Sequence, residues 1–187
     1  MRSNSTLRTT VIVLILAAAL AAAVLGYGIY QTDKASADAD KVIERMKTII
    51  PGLGVETEAT SGDGRDPLSV MTIENIDVVG CLEVPSIDVM VPVTAKGKDR
   101  KGFATYLDGS AVKGQLRITG KRDDIFGRIV KLKPGDKAAF TDMDGFRYTY
   151  SVLTQFHLKK WDRADYDLML CYETDDKTRF VVGLNRD

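Results

Sequence analysis

Histidine, cysteine and tryptophan are nearly missing from this chain: its 187 residues include one His, two Cys and one Trp, against 26 Lys+Arg and 26 Asp+Glu. A zinc site needs about four ligands drawn mainly from Cys, His and carboxylate, so this inventory speaks against a structural zinc framework. Zero formal net charge disfavours a bulk nucleic-acid binder, whose phosphate contacts call for a basic excess. No glycine-rich loop that could cradle a phosphate occurs, and Glu56, Glu58, Asp63 and Asp66 do not follow a calcium-loop spacing. Neither a metal nor an organic cofactor is therefore expected. Repeats and low-complexity tracts are also missing. With 44% hydrophobic residues, the chain suits one compact domain whose core needs no dense disulfide network.

A long charge-free run is present once, from Val11 to Tyr30 (VIVLILAAALAAAVLGYGIY). As a helix it rises about 30 Å, the thickness of a bilayer's hydrocarbon layer, and it has no polar face. It reads as a membrane span. Arg2 and Arg8 precede it, whereas Asp33 and then Lys34 are the first charges after it, so the positive-inside rule places the N-terminus in the cytoplasm and the large C-terminal part outside. A cleaved signal peptide is the rival reading; its apolar region usually spans about 7 to 15 residues, shorter than this run, although the alanine-rich composition suits cleavage.

From Ala35 to Ile50 the pattern changes. Val42, Ile43, Met46, Ile49 and Ile50 recur at helical spacing between charged residues, the mark of an amphipathic helix that packs on the domain or links it to the membrane; a simple spacer with a sticky face is the alternative. Pro51 and Gly52 stop it, and a polar stretch rich in turn residues follows. The expected organisation is a cytoplasmic stub and anchor over 1–30, a helix and linker over 31–65, and one β domain over 66–187.

Beyond Leu68 the segments LSVMTI, IDVVGCLEV, IDVMVPV, GQLRIT, RIVKL, KAAFTD, FRYTYSVLTQFHL, YDLMLCYE and TRFVVGLN are short and rich in Val, Ile, Phe and Tyr, with turn signals between them. Pro134-Gly135-Asp136 and Asp142-Met143-Asp144-Gly145 separate apolar runs, and the second suits a tight hairpin. The fold class expected is mostly β: about eight strands in a small closed barrel, which removes exposed edges and gives every strand a share of one core. Period two in Phe146, Tyr148, Tyr150 and Val152 puts the bulky side chains on one face.

Candidates for chemistry are few. Cys171 shares a strand face with Met169 and Glu173, while Leu168, Leu170 and Tyr172 take the other. It is either a buried inert thiol or a nucleophile, and as a nucleophile it needs a base, for which His157 is the only imidazole. Cys81 and Cys171 could alternatively form one disulfide in an oxidising exterior. Trp161 sits among Lys159, Lys160 and Arg163, which Asp162, Asp165 and Asp167 offset, so no anion-binding patch emerges.

Three segments in order carry a resemblance. VGCLEVPSIDVMVPV (Val79–Val93) resembles the early Gly-x-Leu-x-Ile-Pro strand and Pro-Val strand of the sortase family, the membrane-anchored cysteine transpeptidases of Gram-positive cell walls. GQLRITGKRDDIFGRIVKLKPGDKAAFTD (Gly114–Asp142) is similar to that family's Ile-x-Gly-His segment and the Leu-x-x-Leu and Gly-Asp that follow. DLMLCYETDDKTRFVVGL (Asp167–Leu184) resembles its Leu-Thr-Leu-x-Thr-Cys strand, loop and Arg-x-x-Val strand. The resemblance implies a catalytic His, Cys and Arg. On this chain those positions fall on Lys121, Glu173 and Arg179, and only the Arg is kept; Met169 and Tyr172 replace threonines.

A degenerate site follows from that resemblance. A carboxylate with an ordinary pKa near 4 is a weak nucleophile whose acyl product is a hydrolysable anhydride, and a lysine protonated at neutral pH cannot shuttle protons. If the family geometry persists, Glu173 is held between Lys121 and Arg179 as a mixed-charge cluster. The expectation is a membrane-anchored pseudoenzyme that binds a sorting-signal-like peptide, a surface or pilus protein, or an active sortase. Two alternatives stand beside it: a groove plugged by its own charges, with function on another surface, and a divergent cysteine transpeptidase or peptidase using Cys171 with Lys121 or His157 as partner and Arg179 at the oxyanion.

Overall fold

The computed structural model describes residues 17–22, 34–55, 64–98, 100–159 and 165–187. Residues 17–22 are helical and exposed. The rest of the expected membrane span, the 56–63 part of the linker and the Lys160–Arg163 stretch with Trp161 lie outside the described residues, among which no helix is long and apolar enough to cross a membrane.

Helix α1 covers 34–49. Ala39, Val42 and Met46, continued by Ile50 and Leu53, recur three and four residues apart and are buried, while Ile49, a hundred degrees round the axis from Ile50, is 45% exposed. The stop comes at Pro51 and at Gly52, whose φ of +84° favours a residue without a Cβ. The helix is packed rather than a spacer: its stripe lies on Ile73, Ile76, Val78, Cys81, Phe103 and Met143.

Nine strands build one sheet: β1 (Met71–Ile73), β2 (Ile76–Val84), β3 (Val89–Thr94), β4 (Ala104–Ser110), β5 (Gly114–Thr119), β6 (Lys137–Asp142), β7 (Arg147–Leu158), β8 (Leu168–Glu173) and β9 (Arg179–Arg186). Their order is β1-β2-β3-β4-β5-β8-β9-β7-β6, and a further pairing of β6 with β2 closes the sheet on itself. Eight strands thus pair in a ring. β1 is additional, sharing one edge of β2 with β6: β1 takes Ile76–Val78 and β6 takes Gly80–Glu83. Two pairings are parallel, β3 with β4 and β5 with β8, and the others are antiparallel.

Alternation sorts the side chains into faces. Leu82, Val91, Leu116, Ile118, Phe140, Tyr148, Tyr150, Leu168, Leu170 and Val182 fill the inner core. The expected split of β8 is observed, because Met169 and Cys171 leave that core for a separate outer cluster with Val181, against which Leu107, Phe156, Leu158 and Tyr166 pack. Also outside the core, Arg147 and Glu83 form a buried ion pair, with Nη1–Oε1 at 2.5 Å and Nη2–Oε2 at 3.3 Å.

Two strand expectations are corrected. RIVKL is the end of a 3-10 helix, Ile125–Lys131, whose buried residues Phe126 and Ile129 are three apart rather than alternating, and whose first N–H donates to Asp124 at 2.7 Å. ATYLDGS, in which Asp108, Gly109 and Ser110 dilute the apolar signal, is strand β4. The disulfide alternative is also corrected. Cys81 and Cys171 are free thiols in different clusters, one under α1 and the other beside β9.

Candidate functional site

Three neighbouring strands end at one place. β5 and β8 run parallel in a register that pairs Thr119 with Cys171. The Gly120 N–H and the Thr119 hydroxyl both donate to the Cys171 carbonyl, at 3.1 and 3.0 Å. Two residues further on stand Lys121 and Glu173, and the antiparallel β8–β9 ladder sets Glu173 opposite Arg179. Residues 174–178 fasten this end. Thr174 N–H donates to the Thr178 carbonyl at 2.8 Å, and the hydroxyls of Thr174 and Thr178 bond to each other and to Asp176. Those hydroxyls hold the Asp176 carboxyl down at about 2.

At these ends lies an open groove of about 680 Å³. Phe103, Thr105, Thr119 and Gly120 give it an apolar and hydroxyl-bearing side, and Arg100, Lys121, Arg122, Asp123, Glu173 and Asp175 give it charge. Gly120 is held against Phe126 so closely that a Cβ there would meet the ring at 2.3 Å. Two guanidinium groups already have carboxylates: Arg100 reaches Asp38 of α1 at 2.8 Å, and Arg122 reaches Asp175 at 2.6 Å. Lys121 and Glu173 are both exposed in this groove.

The expected cluster is thereby corrected in two respects. Lys121 makes no ion pair with Glu173 within 4.0 Å, because both exposed ends stay solvated. Arg179 is half-buried and faces Glu173 across the ladder, but does not itself line the groove. Thr105 on the unrecognised β4, together with Phe103 and Arg100 just before it, were missed; a turn-bounded Phe-Ala-Thr-Tyr run was the available signal.

Cys171 is a poor nucleophile where it stands. It is 1% exposed, its Sγ lies 3.6 Å from the Ile118 carbonyl, and burial pushes the thiol up to about 11 against the weaker opposing pull of Thr119 and Arg179. It does not line the groove. His157 is not its partner: Cys171 packs with Phe156 and Leu158 on the outer face of the sheet, whereas the exposed His157, between those two residues on β7, turns to the other face and sets its ring against Phe180 at 5.4 Å. Among the described residues no group of three or more His, Cys, Asp or Glu side chains is arranged to hold a metal ion.

No family model matches the chain, and no curated protein does. Solved structures do. Sortase A of Listeria monocytogenes is similar at 26% identity and a TM-score of 0.51, over 59% of this chain and 87% of that one. Sortase A of Corynebacterium diphtheriae matches at 18% identity and 0.51, over 90% and 95%. A pilus-related sortase C of Group B Streptococcus matches at 18% and 0.52, over 84% and 96%. On these likenesses the chain has the sortase fold.

Proposed function

We propose that this protein is a membrane-anchored, sortase-like binding protein of the cell surface, whose groove receives a peptide segment of a surface or pilus protein, or of an active sortase, and performs no thiol transpeptidation. The observation that carries this reading is the residue at the end of β8: Glu173 occupies the groove, while the nearest sulfur, Cys171, lies buried two positions upstream, about 6.6 Å along the strand. A misplacement of roughly 1 Å can already cost two orders of magnitude in rate. A thiol raised to about 11 is also overwhelmingly protonated near neutral pH.

Openness supports binding over a charge-plugged groove. About 680 Å³ falls inside the usual range for ligand pockets, roughly 300–1,000 Å³. Lys121 offers three donors without a carboxylate held against it. Anchoring rests on the Val11–Tyr30 run and its flanking charges.

The test is a titration of the full chain with fluorescent sorting-signal-type peptides, read by anisotropy and by mass spectrometry of the peptide. Saturable binding that weakens about tenfold in Lys121→Ala, with the peptide intact, is the expected result. Saturable turnover abolished by Cys171→Ala would instead make the protein a divergent cysteine transpeptidase or peptidase.

A further inference from the structure

The loop joining β3 to β4 is a basic stretch at the groove end of the ring. Four of the seven residues over 95–101, AKGKDRK, are Lys or Arg and one is Asp. Lys96, Lys98 and Arg100 are exposed. Two of these charges have partners, Lys98 with Asp77 at 3.8 Å and Arg100 with Asp38 at 2.8 Å, but both pairs are exposed and such pairs hold weakly. Lys96 makes no ion pair among the described residues, and neither does Lys34 at the start of α1.

This loop is fixed to the first turn of α1. Arg100 bonds Asp38, and Gly102 lies so close to Ala35 that an added Cβ would stand 2.7 Å from the Ala35 carbonyl oxygen. From Tyr30, the last residue of the apolar run, to Lys34 there are only four Cα steps, at most about 14 Å of extended chain. The opposite end of the ring, at the Pro85–Ile87 turn, is separated from this one by the nine residues of β2, about 30 Å.

We propose that the 95–101 loop, together with Lys34, docks on an anionic lipid surface and so holds the groove mouth, which Arg100 and Phe103 border, at the headgroup layer. The inference rests on the anchored reading above. A tether alone lets the domain tumble over the membrane; basic side chains within a Debye length of anionic headgroups each bias the docked state by about fivefold. This charge sits at the end of the ring where the chain leaves the apolar run, whereas the comparably basic Arg128–Lys133 stretch lies at the far end, beside Ser86, and the groove rim belongs to the same segment as the 95–101 loop. Docking therefore directs the groove toward ligands presented at the membrane rather than ones arriving from bulk.

The experiment places the full chain in nanodiscs of phosphatidylcholine, with or without phosphatidylglycerol, and attaches a fluorophore at Lys96→Cys or Ser86→Cys. Cys81 and Cys171 are buried and resist labelling. Quenching by headgroup-nitroxide lipid should be at least threefold stronger at position 96 than at 86 in anionic discs. It should fall toward parity at 0.5 M salt or in a Lys34→Glu/Lys98→Glu background. Equal quenching at the two positions, or quenching at 96 that ignores anionic lipid, in chain that co-elutes with the discs would overturn the docking and leave the anchor intact. Chain that elutes apart from the discs would overturn both.

Discussion

Glu173 and Arg179 stand directly opposite each other across the β8–β9 ladder, joined by a turn whose hydroxyls and Asp176 carboxylate fix its shape. Glu173 lines the groove, and Arg179, its ladder partner, does not. Replacing Arg179 with Gln should leave the fold in place, shift Glu173 within the groove and weaken peptide binding about tenfold, an effect of roughly 1.4 kcal/mol that titration by anisotropy reads directly. Arg179→Lys should recover part of it, because it restores a positive charge beside the end of β8.

Burial of Cys171 sets a pH dependence. Its folded-state pKa, about 11, is above that of an unfolded thiol, so the neutral thiol contributes stability that is fully present below about pH 8.5 and is lost as pH rises through about 11. The loss from this group alone should approach 3 kcal/mol, with buried Cys81 acting in the same direction. Urea unfolding at stepped pH should show the decline, and Cys171→Ala should make it shallower.

The Arg147–Glu83 pair, each member at most 8% exposed as a residue, satisfies two charges that the sheet has taken out of water. Arg147→Met strands the carboxylate and should cost about 3–5 kcal/mol in chemical denaturation. Adding Glu83→Leu to the same chain should restore most of that, since an apolar pair of similar volume needs no desolvated charge.

Helix α1 offers a contrast between adjacent turns. Met46 is fully buried against the outer face of the sheet, so Met46→Ala should lower stability by about 2–5 kcal/mol, whereas Ile49→Ala, on a residue 45% exposed, should change it by no more than about 0.5 kcal/mol. Thermal unfolding of the two variants side by side makes the comparison.

Much of this was legible in the sequence because period two is a strong signal wherever one face of a strand is buried. Tyr148, Tyr150 and Val152 line the core as their spacing implies, and β8 divides its faces as read. The Ile125–Lys131 helix reads as a strand because Ile129 and Val130 look β-like in a five-residue window, while the three-residue spacing of Phe126 and Ile129 shows only in a longer one. β4 is hard to read because its Asp-Gly-Ser end dilutes the apolar signal, although both of its partners, β3 and β5, are its neighbours in sequence. At the site, sequence order located the ends of β5, β8 and β9. It could not show that Lys121 and Glu173 remain apart in solvent, or that His157 and Cys171 occupy opposite faces, because rotamers and sheet closure decide those relations.

One measurement bears most directly on the claim that Glu173, not a reactive sulfur, occupies the working end of β8. The full chain is mixed with excess sorting-signal-type peptide, quenched in acid and analysed as intact protein by mass spectrometry. An unmodified mass alongside saturable, reversible peptide binding is the expected result; an acyl adduct mapping to Cys171 would contradict the account.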